Sequence, residues 1–149
     1  MSLGNYEENK SPMLAKVSFS VMIPSDITHV SNTVLYVRQQ LSNFHYPLTL
    51  IEFDIPLAIT EALANAIIHG NKSDPSKIVR LSVVATPAKF KCVVTDMGKG
   101  FNYFELPPIP VGQDDPSTSG RGVSLIKSMM SKVSFNAVGN QIRMVLIVR

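Results

Sequence analysis

Hydrophobic and polar positions follow two rhythms along this chain. Between residues 14 and 23, Val17, Phe19, Val21 and Ile23 fall on one side and Ser18, Ser20 and Met22 on the other. That is the period-two pattern of a half-buried strand. Pro24 and Ser25 end it, and Ser25 or Asp26 is a natural helix N-cap. Ile27, Val30, Val34, Val37, Leu41 and Phe44 then recur at spacings of three and four, which predicts an amphipathic helix over 26–44. His45-Tyr46-Pro47 breaks it.

A second helix carries a core stripe of Ile59, Ala62, Leu63, Ala66, Ile67 and Gly70. Its start is ambiguous. Thr49-Leu50-Ile51-Glu52 fits a capping box, whereas Pro56 is best tolerated in a first turn. A start near Asp54, with a preceding turn, is preferred over a start at Thr49 with a kink. Gly70 or Asn71 should cap the far end. Alternation returns over 78–85 and 89–96, joined by Thr86-Pro87-Ala88 as a hairpin. Phe90, Cys92, Val94 and Asp96 share one parity, so Asp96 should point inward at the strand's end. An inward carboxylate needs hydrogen-bond donors.

Residues 97–119 show no period and carry Gly98, Gly100, Pro107, Pro108, Pro110, Gly112 and Pro116, which leaves a lid, a binding loop or disorder as the readings. A short helix over 122–131 and strands over 133–138 and 142–148, around a Gly139-Asn140 turn, complete the chain. The order β-α-α-β-β-loop-α-β-β predicts an α+β fold. It should be a two-layer sandwich with helices on one face of a mixed, mostly antiparallel sheet.

Composition narrows this little. The 149 residues, 45% hydrophobic and 17% charged, fit one domain with a real core. Residues 1–12 are polar and expected to be disordered, leaving one domain over 13–149. The net charge of +3 is spread along the chain, so no nucleic-acid partner is expected. The single Cys92 excludes an internal disulfide and a Cys-rich zinc site. No apolar run is long enough to span a membrane and no secretory leader opens the chain, so a cytoplasmic location without membrane contact is expected.

Chemistry concentrates in three segments. Glu61, Asn65 and His69 repeat at one turn's spacing and form a polar stripe among alanines on the second helix. Asp96-Met97-Gly98-Lys99-Gly100 follows a strand, and Gly120-Arg121-Gly122 leads into a helix. A glycine pair at a helix N-terminus makes a phosphate site from backbone N–H groups and the helix dipole. An inward aspartate can read an exocyclic amine. A helical asparagine can offer its oxygen to Mg²⁺.

At these residues the chain resembles the Bergerat-fold ATPases, the superfamily shared by type II topoisomerases, a heat-shock chaperone, histidine kinases and mismatch-repair proteins. E-A-L-A-N-A-I-I-H-G-N looks like its N box, D-M-G-K-G-F its G1 box and G-R-G-V-S-L-I its G2 box. The short chain, with E-x-x-x-N followed by H-G, is most similar to the bacterial anti-sigma-factor serine/threonine kinases. The resemblance spans 14–149 and implies ATP and Mg²⁺ as cofactors. It implies that Glu61 orients or deprotonates the acceptor, Asn65 ligates magnesium, and Asp96 binds the adenine amine. Gly98 and Gly100 would admit the nucleotide. Gly120, Arg121 and Gly122 would form the end of the ATP lid, with Arg121 near the phosphates. The implied partners are a small STAS-type anti-sigma antagonist, phosphorylated on Ser or Thr, and a sigma factor. A homodimer through the sheet, with Val145 and Ile147 outward, is also implied. The roles of His69, Thr118 and Ser119 stay open. So do two alternative functions, an ATP-gated binding module without turnover and the stand-alone catalytic domain of a histidine-kinase-type system.

Overall fold

The computed structural model describes residues 15–100 and 120–149. The expected disordered segment, most of the long loop, Thr118 and Ser119 lie outside the described residues. Five strands form one sheet in the order β1-β2-β3-β5-β4: β1 Val17–Pro24, β2 Ile78–Thr86, β3 Lys89–Thr95, β4 Lys132–Phe135 and β5 Gln141–Ile147. Every pairing is antiparallel, more uniform than the mixed sheet expected. The helices are α1 Val30–Leu41, α2 Ile55–Asn65 and α3 Gly120–Met129, and α2 packs against both of the others.

Strand parity positions the core. Phe19 pairs with Val83, Val83 with Cys92, Cys92 with Met144 and Met144 with Val133, giving one inward row across the sheet. Val79, Leu81, Phe90 and Val94 join it, and Val37, Leu41, Ile59, Leu63 and Ile67 meet it from the helices. Each such side chain contributes roughly 1.5–3 kcal/mol on burial. The opposite parity of β2, β3 and β5 places Arg80, Lys91, Arg143 and Ile147 on the open face. β3 is central, so Asp96 at its end lies beneath the helix layer.

Several boundaries differ from expectation for identifiable reasons. Asp26 does cap the first helix, accepting the Thr28 N–H at 2.9 Å, but the entry is a tight 3-10 turn, Ile27–His29. α2 starts at Ile55 with Asp54 in the N-cap position and a preceding turn, as preferred, but the Asp54 backbone is already helical and its side chain caps nothing. A wide π-helical turn, Leu50–Asp54, precedes α2, and the Ile55 N–H reaches back to the Leu50 carbonyl. This fits Pro56, which cannot supply a helical N–H. The Thr49 capping box is not made, and Glu52 instead pairs with Arg38 at 2.7 Å. A second wide turn, Ala66–Gly70, follows α2. The last hairpin is not a two-residue turn. Asn136, expected inside a strand, accepts the Gly139, Asn140 and Gln141 N–H groups with one side-chain oxygen. A side chain that satisfies three amides ends the ladder early.

Candidate functional site

The three segments that carry chemistry in the sequence converge at the sheet end of α2. A cavity of about 410 Å³ is lined by Asn65, His69 and Gly70 from the helix and by Asp96, Gly98 and Gly100 from the turn after β3. Lys72, Lys77 and Lys99 line it as well and add positive charge. Its volume falls in the range of small-ligand sites. An adjoining cleft is lined by Asn65, Asp96 and Val123, so α3 meets the same surface.

Asp96 points inward as its parity predicted and is 9% exposed. Its Oδ1 accepts the Gly98 N–H at 2.7 Å, which curls the turn back over the carboxylate. Burial pushes the Asp96 carboxyl above the ordinary carboxylate value, while the Gly98 N–H and the positive charge of Lys77 pull the other way. Gly70 packs directly against this group. A Cβ there would sit inside the Asp96 carboxylate, and a Cβ on Gly98 would strike the Gly70 carbonyl oxygen. Gly100 adopts φ 91°, where other residues are strained.

Glu61 and Asn65 are half-buried on α2. Gly122 lies against both, since a Cβ on it would come within 2.9 Å of Glu61 Oε2 and of Asn65 Nδ2. The second glycine of G-R-G therefore brings the α3 backbone onto the polar stripe. α3 opens at Gly120 and ends at Met129, two residues earlier at each end than the expected 122–131, and the Arg121 side chain lies outside the described residues. Ser131 ties the other end of α3 to β5, donating its N–H to the Val145 carbonyl at 2.8 Å. Among the described residues, no group of three or more His, Cys, Asp or Glu could hold a metal alone. The donor set at Asn65 suits a hard cation that takes one protein oxygen and draws its other ligands from phosphates and water.

The sequence offers Gly70 and Asn71 as alternative caps, with Gly70 also on the core stripe, and assigns neither a role at the site. Asn71 does end the helix, but Gly70 is not left-handed; the left-handed residues are Lys72 and Ser73, at φ 51° and 55°. The requirement at Gly70 is room for Asp96. Asn71 is fully buried and bonds across four chain segments. The one sequence signal for either was their position directly after the polar stripe. His69 is exposed and lines the cavity, a placement that the sequence left open.

A family model described as the histidine kinase-like ATPase domain matches residues 23–146. The anti-sigma F factor of Anoxybacillus flavithermus is 31% identical over 90 residues, covering 59% of this chain and 62% of that protein. The anti-sigma F factor of Bacillus cytotoxicus is 34% identical over 82 residues, covering 54% of this chain and 56% of that protein. The chain thus spans less than two thirds of these relatives. A solved structure of the RsbU and RsbW domains of a Mycobacterium tuberculosis protein superposes with TM-score 0.57 at 18% identity, covering 89% of this chain and 32% of that one, a likeness of fold. No helix among the described residues is long and apolar enough to cross a membrane.

Proposed function

We propose, from the premise that the chain belongs to the histidine kinase-like ATPase domain family, that it is an ATP-dependent protein serine/threonine kinase. Its substrate is a small anti-sigma antagonist of the STAS type, and it also binds a sigma factor. The carrying observation is that Asp96 and Asn65 line one cavity of about 410 Å³, and that Asn65 also lies with Glu61 against Gly122 at the start of α3.

In this reading Asp96 accepts the adenine amine. Gly98 and Gly100 let the base and sugar approach the backbone. Asn65 holds Mg²⁺, which neutralises phosphate charge when bound. The N-terminus of α3 adds backbone N–H groups for the phosphates. Glu61 accepts the proton of the attacking hydroxyl. The hydroxyl oxygen then bonds to the γ-phosphorus, the bond to the β–γ bridging oxygen breaks, and ADP leaves with that electron pair. The open sheet face, with Val145 half-buried and Ile147 45% exposed, supports a homodimer formed there.

The test is transfer of label from γ-labelled Mg-ATP to a protein captured from the native host. Acid-stable label on Ser or Thr supports the kinase. ATP-dependent capture without label replaces it with an ATP-gated binding module. Acid-labile label replaces it with a histidine-kinase-type partner.

A further inference from the structure

Asn71 is 0% exposed and Ser25 3%. The Asn71 amide donates to Ser25 Oγ at 2.8 Å and to the Ile78 carbonyl at 3.0 Å. Its Oδ1 accepts the Met97 N–H at 2.7 Å. These partners dictate the amide's orientation, because a backbone N–H can only donate and a carbonyl only accept. Ser25 is held in turn, donating its hydroxyl to the Lys77 carbonyl at 2.6 Å. The Asn71 N–H donates to the Ala66 carbonyl at 2.8 Å, so the clamp is anchored in the wide turn that ends the site helix.

Met97 immediately follows Asp96. The Asp96 N–H donates to the Asn140 carbonyl at 2.9 Å, so the Asp96–Met97 step is held from both sides, by Asn140 and by Asn71. Gly98 then closes on Asp96 Oδ1. Ser25 is not among the residues lining the cavity, and Asn71 is buried behind it.

We propose that Asn71, braced by Ser25, is a positioning residue for base recognition. It sets where the Asp96 carboxylate stands relative to the helix end and so governs selectivity for an adenine nucleotide. The proposal rests on the reading of the cavity as an adenine-nucleotide site. A carboxylate fixed by its neighbours rewards a correctly placed amine and penalises a carbonyl in its place. One free to shift discriminates less.

The experiment measures ADP and IDP affinity by calorimetry on the full chain, and amide exchange at Met97 without nucleotide. Ser25→Ala removes the brace without touching the cavity. Asn71→Asp keeps the acceptor for Met97 and removes both side-chain donations. The wild type should prefer ADP by tenfold or more, about the worth of a hydrogen bond to a charged group. Both variants should narrow that preference several-fold, chiefly through ADP, and speed exchange at Met97. Ser25→Ala carries the test alone if Asn71→Asp does not fold. A wild type that binds ADP and IDP alike overturns the adenine reading and with it the selectivity role. A wild type that prefers ADP, with a folded Ser25→Ala that keeps both the preference and slow Met97 exchange, overturns the positioning role alone.

Discussion

At the Gly70 end of α2 the site is fixed by hydrogen bonds; at the Glu61 end it is fixed by close approach. Around Asp96, the Gly98, Asn71 and Asn140 contacts use backbone and side-chain groups from three parts of the chain. Around Glu61, the Gly122 backbone comes close, and neither Glu61 nor Asn65 has a side-chain hydrogen bond to another described residue. The difference suits the two tasks of the proposed function. Reading a base needs a polar group that is already placed. Moving a phosphoryl group needs polar groups free to engage a metal and a second substrate.

Substitution at the open, Glu61 end should have the greatest consequence for activity. Glu61→Gln should reduce phosphoryl transfer by roughly 10²–10⁴-fold, the usual worth of a general base, while ADP affinity stays within error. Single-turnover transfer and calorimetry on the same protein separate the two, and wild-type transfer rates would remove Glu61 from its role. Asp96→Asn attacks the fixed end and should weaken ADP binding by about 10–100-fold, since a charged acceptor becomes a neutral amide.

Acid should weaken binding less severely. Burial raises the Asp96 pKa, so the neutral carboxyl stabilises the fold fully below its unfolded value, and that contribution is lost as pH rises through the folded pKa. On the proposed adenine reading, nucleotide binding runs the other way, because the charged form is the better acceptor for an amine. ADP affinity should therefore fall as pH drops toward the raised pKa, and Asp96→Asn should flatten that slope in calorimetry. A slope shared by wild type and variant would assign the titration to another group.

A hydrogen bond remote from the site should matter to stability alone. The Tyr46 hydroxyl donates to the Thr86 carbonyl at 2.6 Å, and its burial pushes the phenol up to about 12. Tyr46→Phe should cost about 1 kcal/mol in chemical denaturation and leave ADP affinity unchanged. A change in affinity would mean that the β2–β3 hairpin is coupled to the cavity.

Much of this was legible in the chain because it is local. Period-two parity placed Asp96 inward, and helical spacing put Glu61 and Asn65 on one stripe. What escaped was long-range competition. The Thr49 capping box was plausible until Arg38, fourteen residues from Glu52 in the chain, claimed that carboxylate. Asn71 read as a helix end because its partners, Ser25 and Met97, lie 46 and 26 residues away. Asn136 sat within an apparent strand, and nothing in the periodicity said that its side chain would gather three amides.

The two wide turns that flank α2 bear on how this helix tolerates changes of length. A wide turn holds one residue more than an α-helical turn closing the same gap, so it stores slack. Removing a residue from Leu50–Asp54 would tighten that turn and leave the angular phase of Glu61 and Asn65 intact. The same deletion inside Ile55–Asn65 would rotate part of the stripe by about 100°, the turn per residue of an α-helix, and swing Glu61 or Asn65 away from Gly122. The helix is thus phased from within and buffered at both ends, and insertions or deletions compatible with the site belong in the turns.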